Sequence, residues 1–181
     1  MIEWLDSAIS THSIIWLFLA AFMLHDFEEI ICLEPWFQKH YDSILPKVPE
    51  SFRSLIDYAS QVKAPQFAIA VCTEFVFFIP STWLAADYGY YPLFLGINAV
   101  MILHVFMHLG QSIYVRKLTP GVLTGAGILL PYSLYLYYRL LTENMVEWKD
   151  IFISAPFGLV LIPVVLLGHK LGEKLIANVR E

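Results

Sequence analysis

The chain has 181 residues, of which 58% are hydrophobic, 15% aromatic and only 15% charged, with a formal net charge of −5. That balance excludes an ordinary soluble domain, and the negative charge argues against nucleic acid as a partner. Length limits the chain to a single domain, taken as residues 1–181.

A helix crossing the roughly 30 Å hydrocarbon layer needs about 20 mostly apolar residues. Five windows meet that demand: about 13–33, 64–86, 92–115, 118–141 and 151–169. The expected fold is therefore an all-α integral membrane bundle of five transmembrane helices. The start "MIEWLDSAISTH" is acidic where a cleavable signal peptide is basic, so the first span is expected to be retained. Cys32 and Cys72 fall inside predicted spans as packing residues and fix no redox compartment.

The first span carries "LHDFEEI", residues 24–30. A charged side chain in hydrocarbon costs about 2.5–3.5 kcal/mol on insertion scales, so such residues mark function or specific pairing. On a helix Glu28 and Glu29 stand at i+3 and i+4 from His25 and flank it on one face. Asp26 is turned about 100° from His25 and carries less weight.

The long connection at about 34–63 contains "PESFRSLIDYASQV". Its Phe52, Leu55, Ile56 and Ala59 form the stripe of an amphipathic helix, expected to lie on the cytoplasmic membrane surface. The second span adds Glu74. The third adds His104, His108 and Gln111 at i, i+4 and i+7, and the His-x-x-x-His pair is a common way for one helix to offer two imidazoles to a metal.

The fourth span holds Gly121, Gly125 and Gly127, which permit close helix packing, and Pro131, expected to kink it. "TPGVLT" reads as a helix start with proline near its first turn. Tyr132, Tyr135, Tyr137 and Tyr138 read as an interfacial belt, with Trp83 and Trp148 as anchors. The fifth span reads as scaffold, and His169 as interfacial.

Orientation follows from the basic residues of the connections. Lys39, Lys47, Arg53, Lys63, Arg116, Lys117, Lys170, Lys174 and Arg180 fall on one side, against Arg139 and Lys149 on the other. This predicts the N-terminus outside and the C-terminus cytoplasmic, with a bacterial cytoplasmic membrane as the expected location.

In that topology His25 to Glu29 lie about 12–16 residues from the outer boundary, roughly 18–24 Å deep. His104, His108 and Glu74 count to the same layer. His25, Glu28, Glu29, Glu74, His104 and His108 thus resemble the ligands of a one- or two-metal site built between helices. A divalent metal, zinc or iron, would offset the carboxylate charge. Zinc would activate water for hydrolysis, whereas iron would point to oxygen chemistry. Glu28, Glu29 and Glu74 are also the candidates for proton handling. Without a metal, the same acids suit an isomerase or cyclase acting on a lipid or isoprenoid. A proton-coupled transporter is a third reading, made less attractive by five spans without an internal repeat.

The "HDFEE" motif, followed by "NAVMILHVFMHLGQ" and "TPGVLT", resembles the HXXEE-domain family of small multi-span membrane proteins over about residues 13–141. The resemblance implies importance for His25, Glu28, Glu29 and His108 without giving a reaction. A looser likeness is to the emopamil-binding sterol isomerases, which have five spans with a histidine and a glutamate one turn apart. It would place His25, Glu29 and Glu74 in proton-shuttle roles, and the His104/His108 pair departs from it. The expectation is an integral membrane enzyme acting on a lipidic substrate, with membrane lipids as partners; the oligomeric state is not legible.

Overall fold

The computed structural model describes residues 2–176, and Arg180 of the orientation argument lies outside them. The described residues are helical, with no strand among them. A short α1 (Ile2–Ala8) leads to α2 (Thr11–Ile44), whose first turn is capped by the Ser10 hydroxyl accepting from the Ser13 amide. A 3₁₀ turn and α3 (Glu50–Gln61) connect to α4 (Ala64–Tyr88), followed by α5 (Pro92–Val115). Then α6 (Val122–Thr124) runs through a π-helical segment, Gly125–Leu129, into α7 (Leu130–Thr142). Finally α8 (Trp148–Ser154) continues through a 3₁₀ segment into α9 (Leu161–Leu175).

Three helices, Ala64–Tyr88, Pro92–Val115 and Trp148–Leu175, are long and apolar enough to cross a membrane. Large apolar side chains stand on the outside of the bundle, among them Val76, Leu103, Phe106, Phe152 and Ile162. A lipid solvent accounts for that exterior, because water would penalise it. The windows 13–33 and 118–141, expected as two further spans, are not among these three. The first belongs to a 34-residue helix that continues eleven residues beyond the window. Glu34, Gln38 and Lys39 read as the start of a loop, yet Phe37 and Ile44 of the extension are buried with Val115, and Ile56 and Ala59 of α3 pack against them. Packing outside the apolar layer thus extends the helix past Pro35. The expected connection 34–63 shrinks accordingly, and Glu34 turns to the start of α4, bonding Lys63 Nζ at 2.8 Å and the Ala64 amide at 3.2 Å.

The other window is interrupted. Proline at 131 has no N–H to give, and the turn before it widens, with the Leu130 amide bonding the Gly125 carbonyl five residues back. The expected kink is therefore a π segment beginning six residues upstream of the proline.

Close helix packing occurs elsewhere than expected. A Cβ at Gly158 would stand 2.1 Å from the Gly96 carbonyl oxygen, one at Gly168 2.8 Å from Ala70 Cα, and one at Gly172 2.4 Å from the Gln66 carbonyl oxygen. These glycines let the last helical stretch press directly on the α4 and α5 backbones. Gly127, by contrast, has nothing within 4 Å.

The amphipathic stripe of α3 also divides. Ile56 and Ala59 pack on α2, whereas Phe52 and Leu55 remain exposed. Two of the belt tyrosines are internal ties: Tyr132 donates to the Ile14 carbonyl at 2.9 Å and Tyr137 to the Leu95 carbonyl at 2.8 Å.

The amino-terminal end of α2 is fastened to α7 by Arg139. This buried guanidinium donates to the Ile9 carbonyl at 3.0 Å, to Thr11 Oγ1 at 3.0 Å and to Glu143. Hydrogen bonds to charged groups contribute about 1.5–3 kcal/mol, so Arg139→Met is expected to lower stability by about 2 kcal/mol. The Thr11 hydroxyl, with Arg139, holds the Glu143 carboxyl below the usual carboxylate range. The stability this brings is present above the ordinary carboxylate pKa and is lost as pH falls through the lowered folded value. Melting across the acid range should therefore fall in the wild type and fall less in Arg139→Met. Equal acid slopes in the two proteins would remove the network from this account.

Candidate functional site

Four phenylalanines pack between α2, α4 and α5. Phe18 meets Phe78 at 5.2 Å and Phe94 at 5.5 Å between ring centroids, and Phe22 meets Phe78 at 4.7 Å. One turn further along α2 the packing changes character. His25, Asp26 and Glu29 are all buried, at 1%, 5% and 7% exposure. Aromatic packing on one side of this layer withdraws it from solvent.

Three imidazoles meet there. The His25 ring stands edge-on to those of His104 and His108, with centroids 5.3 Å away in each case. His108 Nε2 lies 2.8 Å from His104 Nε2 and 3.1 Å from Glu29 Oε1. One ligand atom each from His25, Glu29, His104 and His108 falls within 4.8 Å of the others. Bonds of about 2.0–2.1 Å in a tetrahedron would set ligand atoms roughly 3.3 Å apart, so small side-chain movements would bring this set around one divalent ion. His25 Nε2 and His108 Nδ1 are buried without a hydrogen-bond partner. Such groups are costly unless something else satisfies them.

The two adjacent glutamates of α2 diverge, as a 100° step per residue requires. Glu29 faces the imidazoles. Glu28 faces the start of α6, where Oε2 accepts from the Thr124 amide at 2.7 Å and the Thr124 hydroxyl at 2.5 Å, and Oε1 from the Leu123 amide at 3.4 Å. Its oxygens are occupied in holding the first turn of a helix, a position that suits a carboxylate. Glu74, on α4, is outside the four-residue group but within electrostatic range of Glu29 and Asp26. Gln111 is exposed and takes no part. Asn98 is fully buried and donates to the Phe94 carbonyl of its own helix at 2.9 Å.

The segment "TPGVLT" belongs to this site, beyond the simple helix start expected of it. Thr119 is tied to α5 through Ser112, with hydroxyls 2.6 Å apart. Gly121 has φ +82, and a Cβ there would stand 2.8 Å from both Glu29 Oε1 and His108 Cε1. Gly125 comes next to His25, with 3.3 Å between a built Cβ and the imidazole Cε1. Gly121 and Gly125 make room for site side chains, not for another helix backbone. Asp26, Gly121 and Thr124 are the additions that the geometry makes to the sequence reading. Contact with Glu28 and His25 across 96 and 99 residues places Thr124 here, and nothing in the local sequence signals it.

Comparison with known proteins gives the constellation a place. A family profile described as "protein of unknown function with HXXEE motif" matches residues 16–136. The chain belongs to the HXXEE family. His25, Glu28 and Glu29 are the motif residues, and the matched region also holds His104, His108 and the "TPGVLT" segment. A relative, the uncharacterized protein YrkK of Bacillus subtilis (strain 168), is 26% identical over 166 residues, covering 87% of this chain and 94% of that one. No solved structure matches. The HXXEE motif thus contributes two residues to the cluster, His25 and Glu29, and one, Glu28, to the helix that closes over it.

Proposed function

We propose that this HXXEE protein is a five-span membrane enzyme whose His25, Glu29, His104 and His108 bind a divalent metal and act on a lipidic substrate by hydrolysis or oxidation. The observation that carries the proposal is the convergence of three imidazoles and one carboxylate within 4.8 Å, with a buried imidazole nitrogen lacking any partner. Nine basic residues against two favour an N-terminus outside and a C-terminus in the cytoplasm of a bacterial membrane. The metal, zinc or iron, would supply Lewis acidity or oxygen chemistry. The chain's own residues have separable tasks in this reading. The imidazoles ligate, Glu29 either completes the ligand set or holds a proton beside it, and Glu74 supplies the next carboxyl for proton handling. Glu28 positions the segment around Thr124. Apolar walls around the layer would admit a membrane-dissolved molecule and hold back water.

A second reading is supported by His108 Nε2, which stands within hydrogen-bond distance of both Glu29 Oε1 and His104 Nε2. A carboxyl and two imidazoles so placed can share a proton without metal, as an isomerase or cyclase of a lipid or isoprenoid requires. Elemental analysis of protein purified in detergent without chelator decides between them. The metal reading expects stoichiometric zinc, iron or manganese, and background levels of all three would leave the acid and base reading standing.

A further inference from the structure

The contact between Glu28, Thr124 and His25 goes beyond a helix cap. Thr124 has a single hydroxyl hydrogen and three acceptors near it: Glu28 Oε2 at 2.5 Å, His25 Nδ1 at 3.3 Å and the His25 carbonyl at 3.5 Å. The carboxylate oxygen is the closest and the only charged one, so the hydrogen goes there as a charge-assisted bond. A carboxylate has no hydrogen to return. What the Thr124 oxygen then turns toward His25 is a lone pair, and His25 Nδ1 must be the donor.

In a neutral imidazole one nitrogen carries the hydrogen and the other is bare. With Nδ1–H directed at Thr124, the bare nitrogen is Nε2. That atom is buried and has no hydrogen-bond partner, on a ring packed edge-on against His104 and His108. Metal-ligating histidines use this arrangement, one nitrogen on the ion and the other N–H held by an acceptor that fixes tautomer and ring angle.

We infer that Glu28 and Thr124 are positioning residues that fix His25 as the Nδ1–H tautomer and so present its Nε2 lone pair to a divalent cation. The inference rests on the metal reading of the cluster and adds a role for the first glutamate of the motif. Glu28 acts at one remove, through a hydroxyl on another segment. This explains why a carboxylate one turn from His25 faces away from the other ligands. It also gives the break in the fourth apolar stretch a use, because the turn at Gly121 delivers both the Thr124 hydroxyl and its amide to Glu28.

The test is a cobalt(II) titration of the full chain, purified in detergent and stripped of metal, followed by visible absorption. Thr124→Val keeps the shape of the side chain and removes the acceptor. It is expected to weaken cobalt binding about 10–100-fold, the effect typical of losing an outer-shell partner, and to alter the cobalt absorption band. Thr124→Ser restores the acceptor and should return affinity and band to wild-type values. Wild-type binding by Thr124→Val would overturn the inference and leave the metal reading intact. Equal losses in the valine and serine proteins would also overturn it, since packing would then be the cause. No cobalt binding by the wild type would remove the metal reading and this inference together. Should Thr124→Val fail to fold, Glu28→Gln carries the test: its neutral amide should weaken binding severalfold, and unchanged affinity would count against the inference.

Discussion

On the proposed metal reading, His108→Ala is expected to reduce bound metal to background while the bundle remains folded. His108 is the node of the cluster, since its Nε2 is near both His104 Nε2 and Glu29 Oε1. Its other ring nitrogen has no partner, so truncation breaks no hydrogen bond on that side. If His108 ligates as proposed, the loss in affinity should exceed the roughly 10–100-fold that outer-shell changes cause. His108→Gln preserves most of the volume and separates ligand from filler. A glutamine protein that melts like the wild type but carries no metal fits the ligand role. Full metal occupancy in His108→Ala would sink it.

The second large effect belongs to Gly121→Ala. A left-handed backbone costs about 1–2 kcal/mol for a residue with a Cβ, and overpacking a close-packed site typically adds 1–3 kcal/mol. Both apply here, because φ is +82 and the new methyl would stand 2.8 Å from Glu29 Oε1 and 2.9 Å from His108 Nε2. The expected loss is at least about 2 kcal/mol in unfolding experiments, accompanied by impaired metal binding. Gly127→Ala is the matched control: nothing lies within 4 Å of its Cβ, and alanine in place of a helical glycine should be neutral or stabilise by up to about 1 kcal/mol. Equal melting of the two variants would show that the turn at Gly121 does not constrain the cluster.

Much of this architecture is legible in the chain because long apolar runs leave few choices besides helix. An apolar run either crosses or is expelled, and the window 92–115 coincides with α5 to the residue. Counting depth along helices assigns His25, Glu28, Glu29, Glu74, His104 and His108 to one layer, of which His25, Glu29, His104 and His108 come together. Other features are hidden in the sequence because a local property depends on a distant partner. Residues 34–44 look like a loop by polarity, and only their packing on α3 and Val115 makes them helix. Glycines advertise closeness without naming the neighbour: Gly96 and Gly158 meet each other, whereas Gly127 meets nothing within 4 Å. The different directions of Glu28 and Glu29 follow from helix geometry, but which of them meets the histidines depends on where the fourth apolar stretch begins. Asp26, of less weight on a helical wheel because it is turned from His25, is buried within electrostatic range of Glu29 and Glu74.

The length of α2 has a mechanical consequence. The rod runs from Thr11, held by Arg139 and Glu143, to Ile44, held by Val115 and α3, and His25 to Glu29 sit at its midpoint. At 1.5 Å per residue each arm is about 25 Å long, so a strut clamped at both ends and packed on α4 between them carries the imidazole and carboxylate at its middle. The distance of those groups from either end of the molecule is set by the length of that strut.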